Sequence, residues 1–227
     1  MLELILPPGV AVAATREDIL DEPLFAEEEQ ALGRAVKKRR REFATARACA
    51  RAALHELGEP PAAIPAGPRG APVWPTGIVG SITHCEGYRA GAVARATDVA
   101  ALGVDAEPEA PLRAGLLGDI ALPEERAQLA ALALAEPGVC WDRLLFSAKE
   151  SVYKSWFPLA GRWLGFEDAT VSIDRAAGTF SVRLLVPGPA LGGEELGGFS
   201  GRWLVRDQLV LTAIAVPAGA ADAQAGF

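Results

Sequence analysis

Glycine and proline placement constrains this chain more than any other feature. Gly58 with Pro60 and Pro61, the Gly/Pro-rich stretch 58–80, Pro108 and Pro111, Pro158 and the Gly-rich stretch 187–201 cut it into short runs. Each run has room for one helix or one strand, because these residues end regular structure. Between the breaks the apolar period decides which. Val36, Phe43, Ala46, Ala50, Ala53 and Leu57 recur at helical spacing, predicting a helix over 35–57 that Gly58 ends. Leu122-Pro123-Glu124-Glu125 opens a second helix with proline and acids in its first turn, and a third spans about 141–157, stopping before Pro158. Strand-like runs at 88–94 and 98–106, joined by Arg95-Ala96-Thr97, read as a hairpin. Further strands are expected at 2–6, 168–174 and 179–186, and a closing hairpin, 202–206 with 209–216, turns at Asp207-Gln208. An acidic, loosely patterned segment follows the first strand, and 217–227 reads as a frayed tail. The predicted class is α/β (α+β), with two similar halves, each a long helix packed on an antiparallel sheet. The hairpins at 88–106 and 202–216 are the expected counterparts.

Composition matters here through the distribution of charge. The 227 residues are 50% apolar and carry a net charge of −7, enough apolar matter for a real core and too much for a disordered chain. Residues 34–51 nevertheless hold eight Arg or Lys against one Glu, a local +7, whereas 1–33 carry −7. The acidic total argues against a general nucleic-acid coater. Lys37 to Arg41 read as a solvated helical face or a nucleic-acid patch, while Arg47 and Arg51 carry the positive charge toward the apolar face and suggest an anion pocket. Cys49, Cys85 and Cys140 have no metal-ligand spacing and read as reduced thiols. The apolar start lacks a basic region and breaks at Pro7-Pro8, and no uncharged apolar run is long enough for a membrane span. A soluble, cytoplasmic protein without a membrane or nucleic-acid partner is expected.

Three segments carry chemistry. In Gly103-Val104-Asp105-Ala106-Glu107 an extended backbone sends Asp105 and Glu107 to one face. Hard oxygens so placed suit magnesium, and they equally fit two solvated acids at a strand end. In Phe146-Ser147-Ala148-Lys149-Glu150-Ser151-Val152-Tyr153-Lys154, Glu150 and Lys154 stand four apart on one helical face. That spacing suits a third carboxylate with a phosphate partner, and also an ordinary helix-stabilising pair. In Gly80-Ser81-Ile82-Thr83-His84, a loop histidine beside hydroxyls can bind phosphate or cap local backbone. Clustered carboxylates with a lysine also serve phosphodiester hydrolysis, so a metal-dependent nuclease is a rival, although its usual lysine position holds Val152. A catalytically silent binding module is a second rival.

Together these segments resemble the 4′-phosphopantetheinyl transferase superfamily. Gly-Val-Asp-Ala-Glu is similar to its G-[IV]-D-x-E motif, and Phe-Ser-Ala-Lys-Glu-Ser-Val-Tyr-Lys to its [WF]-[SC]-x-K-E-[SA]-x-x-K motif, about 40 residues on. Arg40-Arg41-Glu42-Phe43, the stretch from Gly70 to His84 and Trp163-Leu-Gly-Phe-Glu resemble the enterobactin-type and actinobacterial branch. The resemblance implies a monomer of two halves related by a pseudo-twofold axis, divided here at 1–103 and 104–217. It implies transfer of 4′-phosphopantetheine from coenzyme A to a serine of an apo acyl or peptidyl carrier protein, releasing adenosine 3′,5′-bisphosphate. Asp105, Glu107 and Glu150 match the ligands of Mg2+, for which Mn2+ can substitute. Glu150 also matches the proposed general base, and Lys154, with Lys149 assisting, the charge partner of the reacting phosphate. Arg39, Arg47 and His84 match coenzyme A phosphate contacts, with Ser81 and Thr83 nearby. Ala66 stands where many relatives have lysine, and Arg69 is expected to compensate. Arg113, Leu116 and Leu117 are expected to meet the carrier.

Overall fold

A computed structural model of the protein describes residues 1–20, 22–33 and 35–219. The strand expected at 2–6 is instead one turn of 3-10 helix, Leu2–Leu4. Leu2 and Ile5, three apart, fall on the same side of that turn and are both buried, and the two prolines delay the first strand, β1, to Ala11–Thr15. The acidic segment contains a short helix, α1 (Ala26–Leu32), which its pattern did not reveal. The predicted long helix is α2, Lys37–Glu56, with Gly58 beyond it at φ 78°.

Residues 58–77 are loop with one tight turn at Pro68–Gly70, but the next strand, β2, already runs over Ile78–Cys85. It pairs with β3 (Tyr88–Arg95) across the turn Glu86-Gly87, where Gly87 adopts φ 73°. The hairpin is therefore 78–95. The expected hairpin at 88–106 does not form, because β4 (Val99–Pro108) leaves its sheet after 95–98 and pairs with the last strand, β10. After a short helix α3 (Leu116–Ile120) come α4 (Pro123–Ala135) and α5 (Trp141–Ala160). Helix α5 passes through Pro158 and ends at Gly161, in a left-handed conformation. A proline in the last turn deletes one bond, to the carbonyl of Lys154, and the end needs no interior hydrogen bonds beyond it. Strands β5 (Ala169–Asp174) and β6 (Thr179–Leu184) follow as expected. The Gly-rich stretch holds a two-residue pair, β7 (Ala190–Leu191) and β8 (Glu194–Glu195), and the start of β9 (Gly198–Arg206). β9 turns into β10 (Leu209–Pro217) through Asp207 and Gln208, both at positive φ as a twisted two-residue hairpin turn requires.

The pairing order shows the repeat. The first sheet is β1-β3-β2 and the second is β4-β10-β9-β6-β5. In each half a strand precedes the long helix, hairpin-paired strands follow it, and the last strand of the half pairs with the first. The counterpart of the closing hairpin is thus 78–95. The division expected at 103/104 falls inside β4, which belongs wholly to the second sheet. Each helix sits close on its sheet because a glycine faces it. A Cβ on Gly91 would lie 2.6 Å from Cα of Ala50 in α2, and one on Gly103 would lie 2.0 Å from the Ser151 carbonyl oxygen in α5. Between the sheets, Tyr88, Ala90 and Ala92 pack against Val104, Ala106, Leu209 and Leu211, with Leu2 and Ile5 closing the layer. Strand β2 meets β4 without a backbone ladder: the N–H groups of Val104 and Ala106 donate to the hydroxyls of Ser81 and Thr83. At the far edge of the second sheet, α4 covers β5, Val171 N–H donating to Glu125 and Ile173 N–H to Gln128. From residue 220 on, the tail lies outside the described residues.

Candidate active site between the halves

Helix α2, the 66–72 loop, β2 and α5 enclose a cleft of about 430 Å³. Arg39, Arg47, Arg69, Ser81, His84, Glu150 and Lys154 all line it, so residues spread over 116 positions of sequence meet at one place. Arg47 is buried, its guanidinium over the Phe43 ring at 3.8 Å and its Nε donating to the Ile64 carbonyl. Burial lowers it to about 10, with Glu28 opposing, and it remains cationic near neutrality. Arg39 Nη1 donates to His84 Nε2 at 2.8 Å, so that ring nitrogen is unprotonated; burial and then Arg39 hold His84 below its ordinary value. Arg69 adopts φ 57° in the Pro68–Gly70 turn, a conformation that a residue with a side chain visits at some cost. Its guanidinium lies 5.2 Å from the Trp163 ring, across the cleft in the other half.

The carboxylates approach from the other side. Asp105 is buried on β4, where its Oδ1 accepts from Lys154 Nζ at 2.7 Å and from Thr83 at 3.3 Å. Lys154 Nζ also donates to the Val104 carbonyl. Glu107 accepts from Arg143 at 2.8 Å. Burial first, then the charge of Asp105, raises Glu107 to about 6 and also raises Glu150. Among the described residues no three His, Cys, Asp or Glu side chains converge as a ready cluster, so the expected trio is not preassembled. Like-charged groups at this spacing separate, and two of the three have taken a protein cation. The donor set still fits a divalent cation. Asp105 Oδ2 is buried without a hydrogen-bond partner, and the hard oxygens around it sit in a field that disfavours their own charge.

Four residues expected to serve the phosphates are engaged otherwise. Lys149 is buried on another face of α5, where its Nζ meets Glu125 at 2.9 Å and donates to the carbonyls of Phe166 and Ala169. It joins α5 to the β5 end and does not line the cleft. The Thr83 hydroxyl serves Asp105 and the β4 backbone, and the Ser81 hydroxyl, although at the cleft, accepts from Val104. Arg51 pairs with Glu22 and Glu28. Reading the sequence missed Arg143 and Tyr153. A smaller, mainly apolar cavity of about 120 Å³, lined by Tyr153, Trp163, Leu164 and Phe166, adjoins the cleft at Glu150 and Tyr153. Only the position of Tyr153 between Glu150 and Lys154 on α5 could have marked it.

Comparison with known proteins matches two successive parts of the chain. The family described as 4′-phosphopantetheinyl transferase N-terminal domain matches residues 27–94, and the 4′-phosphopantetheinyl transferase superfamily matches residues 101–195. The chain is 54% identical over 230 residues to the 4′-phosphopantetheinyl transferase Svp of Streptomyces mobaraensis, covering 99% of this chain and 94% of that one. It is 50% identical over 223 residues to the 4′-phosphopantetheinyl transferase Npt of Nocardia iowensis, covering 95% and 99%. Similarity to enterobactin synthase component D of Salmonella typhi is lower, 36% over 125 residues, and spans 54% of this chain and 50% of that one. With arginines of one matched part and Glu150 and Lys154 of the other meeting in one cleft, this chain belongs to the 4′-phosphopantetheinyl transferase superfamily.

Proposed function

We propose that the chain moves the 4′-phosphopantetheinyl group of coenzyme A onto a serine of an apo acyl or peptidyl carrier protein. The serine oxygen forms a new bond to the phosphorus bearing the pantetheine, the pyrophosphate bridge breaks, and adenosine 3′,5′-bisphosphate leaves. The observation that carries this reading is the cleft itself, where Arg39, Arg47 and Arg69 face Glu150 and Lys154. The arginines hold the phosphates through planar, multiple donors. Lys154, anchored on Asp105, offers positive charge where charge develops on the reacting phosphate. Glu150, its carboxyl raised by burial and by Asp105, accepts the serine proton. A divalent cation, Mg2+ or Mn2+, held by Asp105, Glu107 and Glu150, would neutralise the pyrophosphate. Both halves of one chain supply these groups, so a monomer suffices. Among the described residues no helix is long and apolar enough to cross a membrane, and we place the reaction in the cytoplasm, with its carriers. Arg113 is exposed while Leu116 and Leu117 are half-buried, leaving the arginine to meet an acidic carrier.

The test is the intact mass of apo carrier proteins after incubation with coenzyme A, Mg2+ and the chain. A gain of one phosphopantetheine is expected, falling at least about 100-fold in rate for Glu150→Gln with an unchanged melting temperature. No gain with fatty-acid, polyketide and peptide carriers alike would sink the proposal.

A further inference from the structure

Arg143 is a third-position residue of α5, where a cation meets the positive end of the helix dipole and weakens the helix start. It is mostly buried nonetheless, and all three edges of its guanidinium are engaged. Nη1 donates to Glu107 Oε2 at 2.8 Å, Nε to the Ala110 carbonyl at 2.9 Å and Nη2 to the Pro111 carbonyl at 3.0 Å. Its neighbour Asp142 accepts the Leu112 N–H at 2.9 Å. Two consecutive residues of α5 thus fasten the exit of β4, Arg143 through the fixed directions of its planar fork.

The pattern repeats on the other carboxylate. Asp105 gives Oδ1 to Lys154 and Thr83 and keeps Oδ2 without a partner, while Glu107 gives Oε2 to Arg143 and its Oε1 has no hydrogen-bond partner among the described residues. Each acid of the pair therefore has one oxygen fixed by a cation of α5 and one left over. A carboxylate fixed by one oxygen has few rotamers left, and the other oxygen stays where a ligand can use it. We propose that Arg143 is a positioning residue for the reaction, holding Glu107 so that one of its oxygens remains available to a divalent cation. This rests on the transferase reading for the expectation of that cation.

The experiment titrates Mn2+ alone into the full chain, followed by calorimetry, with no carrier present. Arg143→Met should weaken Mn2+ binding about 10-fold or more, and Arg143→Lys, which keeps charge without the fork, by an intermediate factor. Glu107→Gln should weaken it as well, and adding Arg143→Met to Glu107→Gln should cost no further affinity. Near-UV circular dichroism and melting curves report folding; if the Met variant does not fold, the Lys variant and Glu107→Gln decide. Wild-type affinity in the folded Met or Lys variant, an additive loss in the double variant, or no Mn2+ binding by the wild type would each overturn the proposal. Carrier mass gain by the wild type scores the transferase reading separately. An active wild type with Mn2+ binding indifferent to Arg143 sinks only the positioning role, whereas Arg143-dependent binding without transfer sinks only the reaction.

Discussion

His84 in the cleft and Glu107 of the acidic pair respond to protons in opposite directions. His84 is held below its ordinary 6.5, so the folded chain binds fewer protons there than the unfolded one. Its contribution is complete above 6.5 and is lost as pH falls through the lowered value. Glu107 is raised from 4.5 to about 6, so in that interval the folded chain binds more protons and stability declines as pH rises. Lowering the pH of metal-free protein from about 7.5 to 5.5 should therefore reduce the melting temperature more in the wild type than in His84→Gln. Parallel curves would show that burial and Arg39 do not hold His84 neutral. At this scale, Asp105, Glu107, Glu150 and Lys154 stood out as candidates in the sequence, because chemistry dictates both their type and their spacing. It could not separate Lys149 from Lys154, since burial beside Glu125 depends on where α4 packs. Nor could it see Arg143, whose role exists only once β4 and α5 lie side by side.

Helix–sheet contact decides the elements. Gly103 precedes the acidic pair by two residues, and its missing side chain lets α5 approach until Lys154 reaches the Val104 carbonyl and Asp105. Gly103→Ala would force a methyl into the Ser151 carbonyl, and overpacking of this kind costs about 3 kcal/mol. Urea unfolding should show that loss as a lower midpoint, accompanied by a larger fall in transfer rate than the lost folded fraction explains. An unchanged midpoint would mean that α5 shifts without cost. Helices and the closing hairpin were legible because their periods and turn residues act within a few positions. The 78–95 hairpin was not, because Ser81, Thr83 and the glycines give β2 little strand-like apolar pattern. The mistaken 88–106 pairing has the same origin: alternation marks strands and is silent on which sheet each one joins.

Seen as a whole, the molecule resolves the uneven charge noted in its sequence. The acidic first 33 residues fold across α2 and its sheet, Glu29 meeting Arg40, Glu22 and Glu28 meeting Arg51, and Asp18 meeting Arg89. Arg39 and Arg47 are left facing the cleft. Two halves of like topology thereby present unlike chemistry, arginines from one and a carboxylate with a lysine from the other. The capped strand β5 has a consequence for the protein among its own copies. A sheet edge with unused N–H groups invites a neighbouring chain to add a strand, and Glu125 and Gln128 remove that invitation at Val171 and Ile173. Glu125→Ala also strands the buried Lys149 ammonium, which should cost about 3–5 kcal/mol. Light scattering from that variant should grow with concentration faster than from Gly103→Ala at matched stability; equal growth would reduce the effect to lost stability. The small helix over β5 then acts as a guard that keeps a crowded enzyme from polymerising through its own sheet.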